Sequence, residues 1–313
     1  MRIFLAGATG VVGRHLVPLL REAGHIVIGT TRSPERAERL GAQGVQAEIL
    51  DALDREATVK AVIKAQPDAI VHQLTAIPAN MNLRRFDREF ALTNRLRTEG
   101  TDNLLAAAHA AGVRRIVAQS FAGWTYARAG GAVKSENDPL DPDPPTSFRR
   151  TLDAIRYLEA ALQAAAGIDT IALRYGWFYG PGTSLGHGAA LLDAIRRRQL
   201  PVVGSGTGTW SFLHIADAAA ATVAALYRGG PGIYNVADDE PAAVCEWLPF
   251  LANAVGAPPP RRVPAWLGRI AIGRHGVVLM TENRGCSNHK AKSALDWSPR
   301  YASWRTGFVD GLG

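Results

Sequence analysis

The sequence predicts an α/β fold, a doubly wound parallel sheet followed by a smaller C-terminal α/β region that caps it. Two observations lead there. Strand-like and helix-like segments alternate from the N-terminus to about residue 180. A glycine loop, Gly7-Ala8-Thr9-Gly10-Val11-Val12-Gly13, sits between the first strand and the first helix.

Met1 to Ala6 is a short apolar strand. Val11 to Ala23 has helical spacing through Val12, Leu16, Leu19 and Leu20, and Gly24 closes it. His25 to Thr30 is the second strand. Ser33-Pro34 opens a helix to Leu40, and Val45 to Leu50 is the third strand. Arg55 to Ala65 is helical, and Ala69 to Gln73 is the fourth strand. Phe86 to Ala111 reads as one long helix with a break expected near Thr93-Asn94. Arg115 to Gln119 is the fifth strand. Thr151 to Ala166 is a helix with Leu152, Ile155, Leu158 and Leu162 on one face, and Thr170 to Arg174 is the sixth strand. After Tyr179-Gly180-Pro181-Gly182 the segments shorten and glycine and proline increase. Helices are expected at 186–198 and 217–227, with short strands at 200–203, 210–214 and 232–236. The expected division is a Rossmann domain over 1–180 and a mainly substrate-binding region over 181–313, of which about 210–236 returns to the main sheet.

With 313 residues, 47% hydrophobic and 20% charged, the chain has the composition of a soluble globular protein. No apolar run approaches the roughly 20 residues of a membrane span. The N-terminus runs straight into the first strand without a signal-peptide pattern, so a cytoplasmic location is the default expectation. Cys245 and Cys286 are the only cysteines and lack the spacing of a disulfide framework or zinc site. Nor do His, Asp and Glu group with metal spacing. The net charge is +7, but the arginines are scattered and no basic stripe interleaves with aromatics. This speaks against nucleic acid and for a solvated surface biased toward an anionic cofactor.

The glycine loop supplies what a dinucleotide diphosphate needs: close backbone approach and the free amides of a helix N-terminus. Gly7, Thr9, Gly10, Val11, Val12 and Gly13 are therefore candidate cofactor contacts. The end of the second strand chooses between NAD and NADP. A carboxylate there would accept from the ribose and repel a 2′-phosphate. This chain has Thr30-Thr31-Arg32-Ser33, so Thr31 and Arg32 favour NADP over NAD. Asp51 follows the third strand, where a carboxylate can reach the adenine amine. Leu74, Thr75 and Ala76 follow the fourth, over the far half of the cofactor.

With these residues the chain resembles the extended short-chain dehydrogenases/reductases, the epimerase/dehydratase-like group. The glycine loop is similar to that family's N-terminal loop. Asn94 with Gly100-Thr101-Asp102-Asn103-Leu104-Leu105 resembles its central helix, and Leu173-Arg174-Tyr175-Gly176-Trp177-Phe178-Tyr179-Gly180-Pro181-Gly182 its "LRxxxxYGPG" stretch. Phe212 to Asp217 and Leu295 to Pro299 resemble its two late motifs. The resemblance implies a nicotinamide cofactor and a tyrosine with a lysine four residues on, as tuned acid and base. No tyrosine here has that lysine. Thr151 and Ile155 stand at the two positions, and the serine position at the fifth strand's end holds Ser120-Phe121, so the resemblance is to an atypical branch.

Ser120, Tyr126 and Tyr175 are the candidate catalytic groups, and Ser120 and Tyr175 are also expected beside the nicotinamide. Asp153 with Arg156, His187 and His214 are lesser candidates. Trp177, Phe178, Tyr179, Trp210 and Phe212 are candidates to line an apolar substrate pocket. Three functions stay open: an NADP-dependent oxidoreductase of a small organic carbonyl or alcohol, a nucleotide-sugar epimerase or dehydratase, and a non-catalytic NADP-binding sensor. By analogy a homodimer is expected, with helices 86–111 and 151–166 paired across a two-fold axis.

Overall fold

The structure, a computed structural model, describes residues 1–78 and 82–313. A seven-stranded, wholly parallel sheet organises it: β1 (Arg2–Ala6), β2 (Ile26–Thr31), β3 (Gln46–Ile49), β4 (Ala69–His72), β5 (Arg115–Phe121), β6 (Asp169–Tyr175) and β7 (Gly232–Val236). The strand order β3-β2-β1-β4-β5-β6-β7 reverses direction between β1 and β4, the switch point at which such sheets open a binding crevice. Alternation along each strand feeds two cores. Ile3, Leu5, Val71 and Val117 pack under α1 (Val11–Glu22) and, beyond it, Ala218, Ala221 and Ala225 of a later helix. Phe4, Ile28, Ile70 and Ile116 face the other way. They meet Val62 of α3 (Arg55–Ala65), Leu104 and Ala108 of α4 (Glu99–Ala111), and Leu158 of α5 (Arg149–Gln163). With both faces covered, the central strands β1 and β4 read as near-continuous apolar runs, whereas the edge strand β3 is largely exposed. The helix on the first face is α6 (Ile215–Tyr227), and α2 (Pro34–Ala42) links β2 to β3.

Several expectations need correction. The long helix 86–111 is three pieces, Phe86–Glu89, Ala91–Arg97 and α4, with breaks at Phe90 and Thr98 and none at Thr93-Asn94. At the second break the Thr98 hydroxyl donates back to the Asn94 carbonyl (3.1 Å), competing with the helical ladder. The helix expected over 186–198 is confined to Ala190–Arg196, because Gly188 holds a left-handed φ of 76°. Of the stretch 210–236, only β7 enters the main sheet as a strand. Thr209–Trp210 pairs with Ala242–Ala243, and Phe212–His214 pairs with Trp177–Tyr179. The chain departs from the sheet at Gly176, where a Cβ would lie 2.6 Å from the Ser211 carbonyl oxygen. Trp177–Tyr179 thereby belongs to the second lobe.

Helices at Val244–Ala254, Ala265–Thr281, His289–Leu295 and Trp304–Asp310 complete that lobe. Trp247, Leu251, Trp304 and Phe308 enclose Tyr179 and Phe212, and this core continues to Phe86, Phe90, Trp124 and Phe148 at the mouth of the sheet. Within it His275 stacks on Phe148 (ring centroids 4.7 Å apart) with Phe86 at 5.0 Å, and neither ring nitrogen has a partner. Burial pushes its pKa down from 6.5 to about 4, and burial with the nearby Arg97 charge does the same to His72.

Both imidazoles are therefore neutral when folded but protonate near pH 6.5 once unfolded. Stability is lost as pH falls through that window toward 4, by about 1.4 kcal/mol per unit for each ring. Urea unfolding at about pH 7.5 and pH 5 should show this loss. His275→Phe, which keeps a ring and removes the unpartnered nitrogens, should raise the midpoint at the higher pH and shrink the acid loss. An undiminished acid loss in the variant would contradict the assignment.

Candidate functional site

Gly7 ends β1 in a left-handed conformation (φ 94°), and a Cβ there would lie 2.6 Å from the Gln73 carbonyl oxygen. A Cβ on Gly13 would lie 2.3 Å from the Gly7 oxygen. The first glycine thus presses the loop against the chain leaving β4, and the last lets α1 seat on the loop. Gly10 is the N-cap, extended at φ −71° and ψ 176°. No side chain caps the helix, and its first turn has no acidic residue. The amides of Val11, Val12 and Gly13 consequently lack intrahelical acceptors beside Thr9, and the Gly7 amide is tied to Thr30 Oγ1 at 3.2 Å. This uncapped, glycine-lined cradle fits a diphosphate.

Around it stand the other candidates. Thr31 is buried, and its hydroxyl accepts from the Ser33 amide at 3.3 Å. Arg32 and Arg36 are exposed, and among the described residues neither forms an ion pair. Asp51 is exposed at the end of β3 and accepts from the Leu53 amide at 3.0 Å. Leu74, Thr75 and Ala76 are half-buried beside the loop. Ala76 is held by the Thr93 hydroxyl (3.0 Å).

The three candidate hydroxyls are not brought together. Ser120 points to the α5 side of β5 and donates to Glu159 Oε1 at 2.6 Å. Arg174 clamps both Glu159 oxygens at 2.7 and 2.6 Å and reaches the Tyr126 oxygen at 3.0 Å. Tyr126 in turn donates to Asn235 Oδ1 at 2.6 Å, and burial raises its pKa. Tyr175 lies across the sheet in the α1 core. It bonds Thr222 (2.6 Å) and Gln73 (3.2 Å), and burial pushes it up to about 12. Each hydroxyl is at most 3% exposed and has internal partners. The expectation that Ser120 faces the cleft is corrected: Phe121 occupies that side of β5, against Trp124 (4.7 Å) and Trp177 (5.6 Å). The alternation of Ile116, Ala118 and Ser120 on one face was the available signal.

Thr151 is fully buried at the start of α5. Its amide and hydroxyl both bond Asp87 Oδ1 (2.8 and 2.7 Å), and it accepts from Asn94 Nδ2 at 3.1 Å. Ile155 is buried four residues on. Asp87 and Arg97 carried no motif and escaped the sequence reading. Asp153 and Arg156 form a largely exposed pair (2.8 Å). His214 caps α6, its Nδ1 accepting from the Ala216 amide and its Nε2 donating to the Gly311 carbonyl, while His187 is exposed. Trp177 and Trp210 stack at 4.1 Å over the cleft-side wall, with Phe212 beyond, while Phe178 turns to the α1 core. Among the described residues no three His, Cys, Asp or Glu side chains cluster to hold a metal, and no helix is long and apolar enough to cross a membrane.

Sheet order and switch-point cradle define a dinucleotide-binding fold, and the relatives below make it that of a nicotinamide-dependent oxidoreductase. The chain belongs to the NAD dependent epimerase/dehydratase family, whose sequence profile matches residues 3–237. It is 43% identical over 316 residues to a 3-diazoavenalumate denitrifying reductase from Streptomyces, covering 100% of this chain and 99% of that protein. It is 30% identical over 258 residues to a 4-hydroxy-2-methyl-3-oxo-4-farnesyl-3,4-dihydroquinoline-1-oxide ketoreductase from Stigmatella aurantiaca, covering 82% and 74%. Its fold is similar to UDP-glucose 4-epimerase from Thermotoga maritima (TM-score 0.77, 21% identity, 100% and 97% covered). It is also similar to a human epimerase family protein with NADPH (TM-score 0.76, 19% identity, 100% and 99% covered).

Arg174→Met should lower stability by about 3–5 kcal/mol, because Glu159 would be left as a buried, unpaired carboxylate. Adding Glu159→Leu should recover much of the loss. Urea unfolding of the wild type and the two variants checks both, and a double variant no better than the single one would contradict the account.

Proposed function

We propose that the chain is an NADP(H)-dependent reductase that serves a small organic acceptor needing no proton from the protein, and that this acceptor is an aryl diazo group released as dinitrogen. One observation carries the proposal. The position where the family resemblance leads one to expect a tyrosine is Thr151, sealed against Asp87 and Asn94, and the hydroxyls of Ser120, Tyr126 and Tyr175 are bonded inward. A carbonyl reduced by hydride becomes an alkoxide and needs a proton donor. With a reduced nicotinamide bound, the cleft supplies a hydride, and an aryl diazonium taking it (Ar–N₂⁺ + H⁻ → Ar–H + N₂) requires no proton.

The relative that is 43% identical along its whole length, named for denitrifying a diazo compound, supports the same reading. Phe121, Trp124, Trp177 and Trp210 offer aromatic faces at the end of β5, suited to a flat ring and to a cation held over π-density. For the cofactor, Arg32 and Arg36 stand unpaired at the end of β2, where a 2′-phosphate would need them, and the motif brings no carboxylate into that corner. The second reading is carbonyl reduction, favoured by the 30% identity to a ketoreductase. It needs a proton delivered by water.

Two measurements test these readings. The purified protein with NADPH should oxidise the cofactor and release dinitrogen from an aryl diazonium carboxylate. Cofactor carrying deuterium at the transferred position should leave deuterium on the ring carbon that bore nitrogen. Turnover of aromatic ketones alone would move the assignment to the second reading, and NADPH binding without turnover of either would leave a sensor. Arg32→Ser should weaken NADPH binding by about ten-fold or more while changing NADH little, as a charged hydrogen bond to phosphate is worth about 1.5–3 kcal/mol. An equal effect on both nucleotides would contradict the NADP assignment.

A further inference from the structure

Between Glu246 and Glu282 the chain carries no acidic residue and four arginines, Arg261, Arg262, Arg269 and Arg274. In their midst the helix Ala265–Thr281 leaves helical geometry at Gly273 (φ 75°, ψ 175°), which divides it into two parts. The later part is anchored, with His275, Val278, Leu279 and Met280 buried. The first part, Ala265 to Ile272, lies over Val203. A Cβ on Gly268 would lie 2.4 Å from Val203 Cγ1, so the helix backbone rests directly on that valine. Two residues along a helix is a turn of about 200°, so Trp266 and Ile270, on either side of Gly268, stand together on the opposite, outward face. They are 66% and 61% exposed, with Leu267 exposed beside them. Apolar side chains of this size grouped on one outward face mark a surface that meets something other than water.

The arginines, scattered along the sequence, gather around this face. Val203 also pairs with Val263, which sets Arg261 and Arg262 at the start of the helix. Arg198 donates to the Pro259 carbonyl at 2.9 Å. At the other end a Cβ on Gly273 would lie 3.1 Å from Arg84 Cγ. Arg84, Arg198, Arg261, Arg262, Arg269 and Arg274 are all exposed, and among the described residues none of them has an ion pair. The neighbouring acidic groups Asp87, Asp193, Glu246 and Glu282 already serve Thr151, Arg196, Arg305 and Arg128.

We infer that this face docks on an anionic lipid surface, with Trp266, Leu267 and Ile270 entering the edge of the acyl region while the arginines pair with headgroup phosphates. Charge decides the occupant. A second copy of the chain would set arginine against arginine across a two-fold interface. A nucleic-acid backbone would pair with the arginines and leave Leu267 and Ile270 in water. A bilayer containing acidic lipids offers phosphate and, just below it, hydrocarbon, the same two chemistries that the face presents together. No helix among the described residues is long and apolar enough to cross a membrane, so the contact lies in the interface.

Co-sedimentation with vesicles tests it. The full chain should pellet with vesicles of phosphatidylcholine and phosphatidylglycerol in equal parts and stay in solution with phosphatidylcholine alone, and high salt should release it. Trp266 is the one exposed tryptophan of seven, so the emission should shift to the blue on binding, and Trp266→Ser should abolish the shift. Trp266→Ser with Ile270→Ser should weaken binding about ten-fold or more. Arg262→Gln with Arg269→Gln should weaken it about ten-fold or more as well. All four side chains are exposed, so both double variants should keep the wild-type melting temperature. Failure of the wild type to pellet with the acidic vesicles, or wild-type binding by either double variant, would overturn the inference. So would a wild-type dimer that Trp266→Ser with Ile270→Ser turns into a monomer, without vesicle binding, which would give the face to a second copy. Retention of an oligonucleotide without vesicle binding would give it to nucleic acid instead.

Discussion

Glu159 and Arg174 meet face to face between α5 and β6, with 5% and 4% of their side chains exposed. Further hydrogen bonds support the pair: Ser120 donates to Glu159, Arg174 donates to the Tyr126 oxygen, and Tyr126 donates on to Asn235, whose Nδ2 has no partner. The three hydrogen-bonding groups nearest the end of β5 and β6 are drawn inward as a result. The cleft-facing side of the same strand end is left to Phe121 and its aromatic neighbours. One buried ion pair thereby engages the hydroxyls of Ser120 and Tyr126, and aromatic rings stand on the other side of the strand end.

Charge is distributed to match. The cradle at α1 contributes amides and a helix dipole, and Arg32 and Arg36 stand exposed near the end of β2, without an ion pair among the described residues. Beyond Phe121 the rings of Trp124, Trp177 and Trp210 pack on one another and on it. On the proposed reading, cofactor binding is electrostatic and substrate selection is shaped by aromatic surfaces.

The sheet was readable because its central strands are buried on both faces and the first three crossovers are short, so local composition and global position agree there. The glycine loop was readable because Gly7 and Gly13 answer to backbone contacts that no other residue tolerates. The direction of Ser120 was misjudged for a different reason. A motif locates a strand end, but a slip of one residue reverses the face, and only the Ile116–Ala118–Ser120 alternation would have resolved it. The C-terminal helices left no periodic signal, because Pro249 sits inside one and Gly268, Gly273 and Gly276 interrupt another, which turns left-handed at Gly273. Asp87 and Arg97 belong to segments whose role is set by what lies across from them, and spacing along the chain does not record that.

At Gly176 the chain leaves the sheet on backbone contacts alone. Its amide donates to the Val236 carbonyl, the Trp177 amide donates to the Ser211 carbonyl, and the space between admits no side chain. The path of the chain between the two lobes is thus held at this point by main-chain bonds, with the side-chain core from Phe212 to Phe148 packed around it. A crossing fixed in this way tolerates exchange of the side chains beside it, ring for hydroxyl or hydroxyl for ring, as long as position 176 stays glycine.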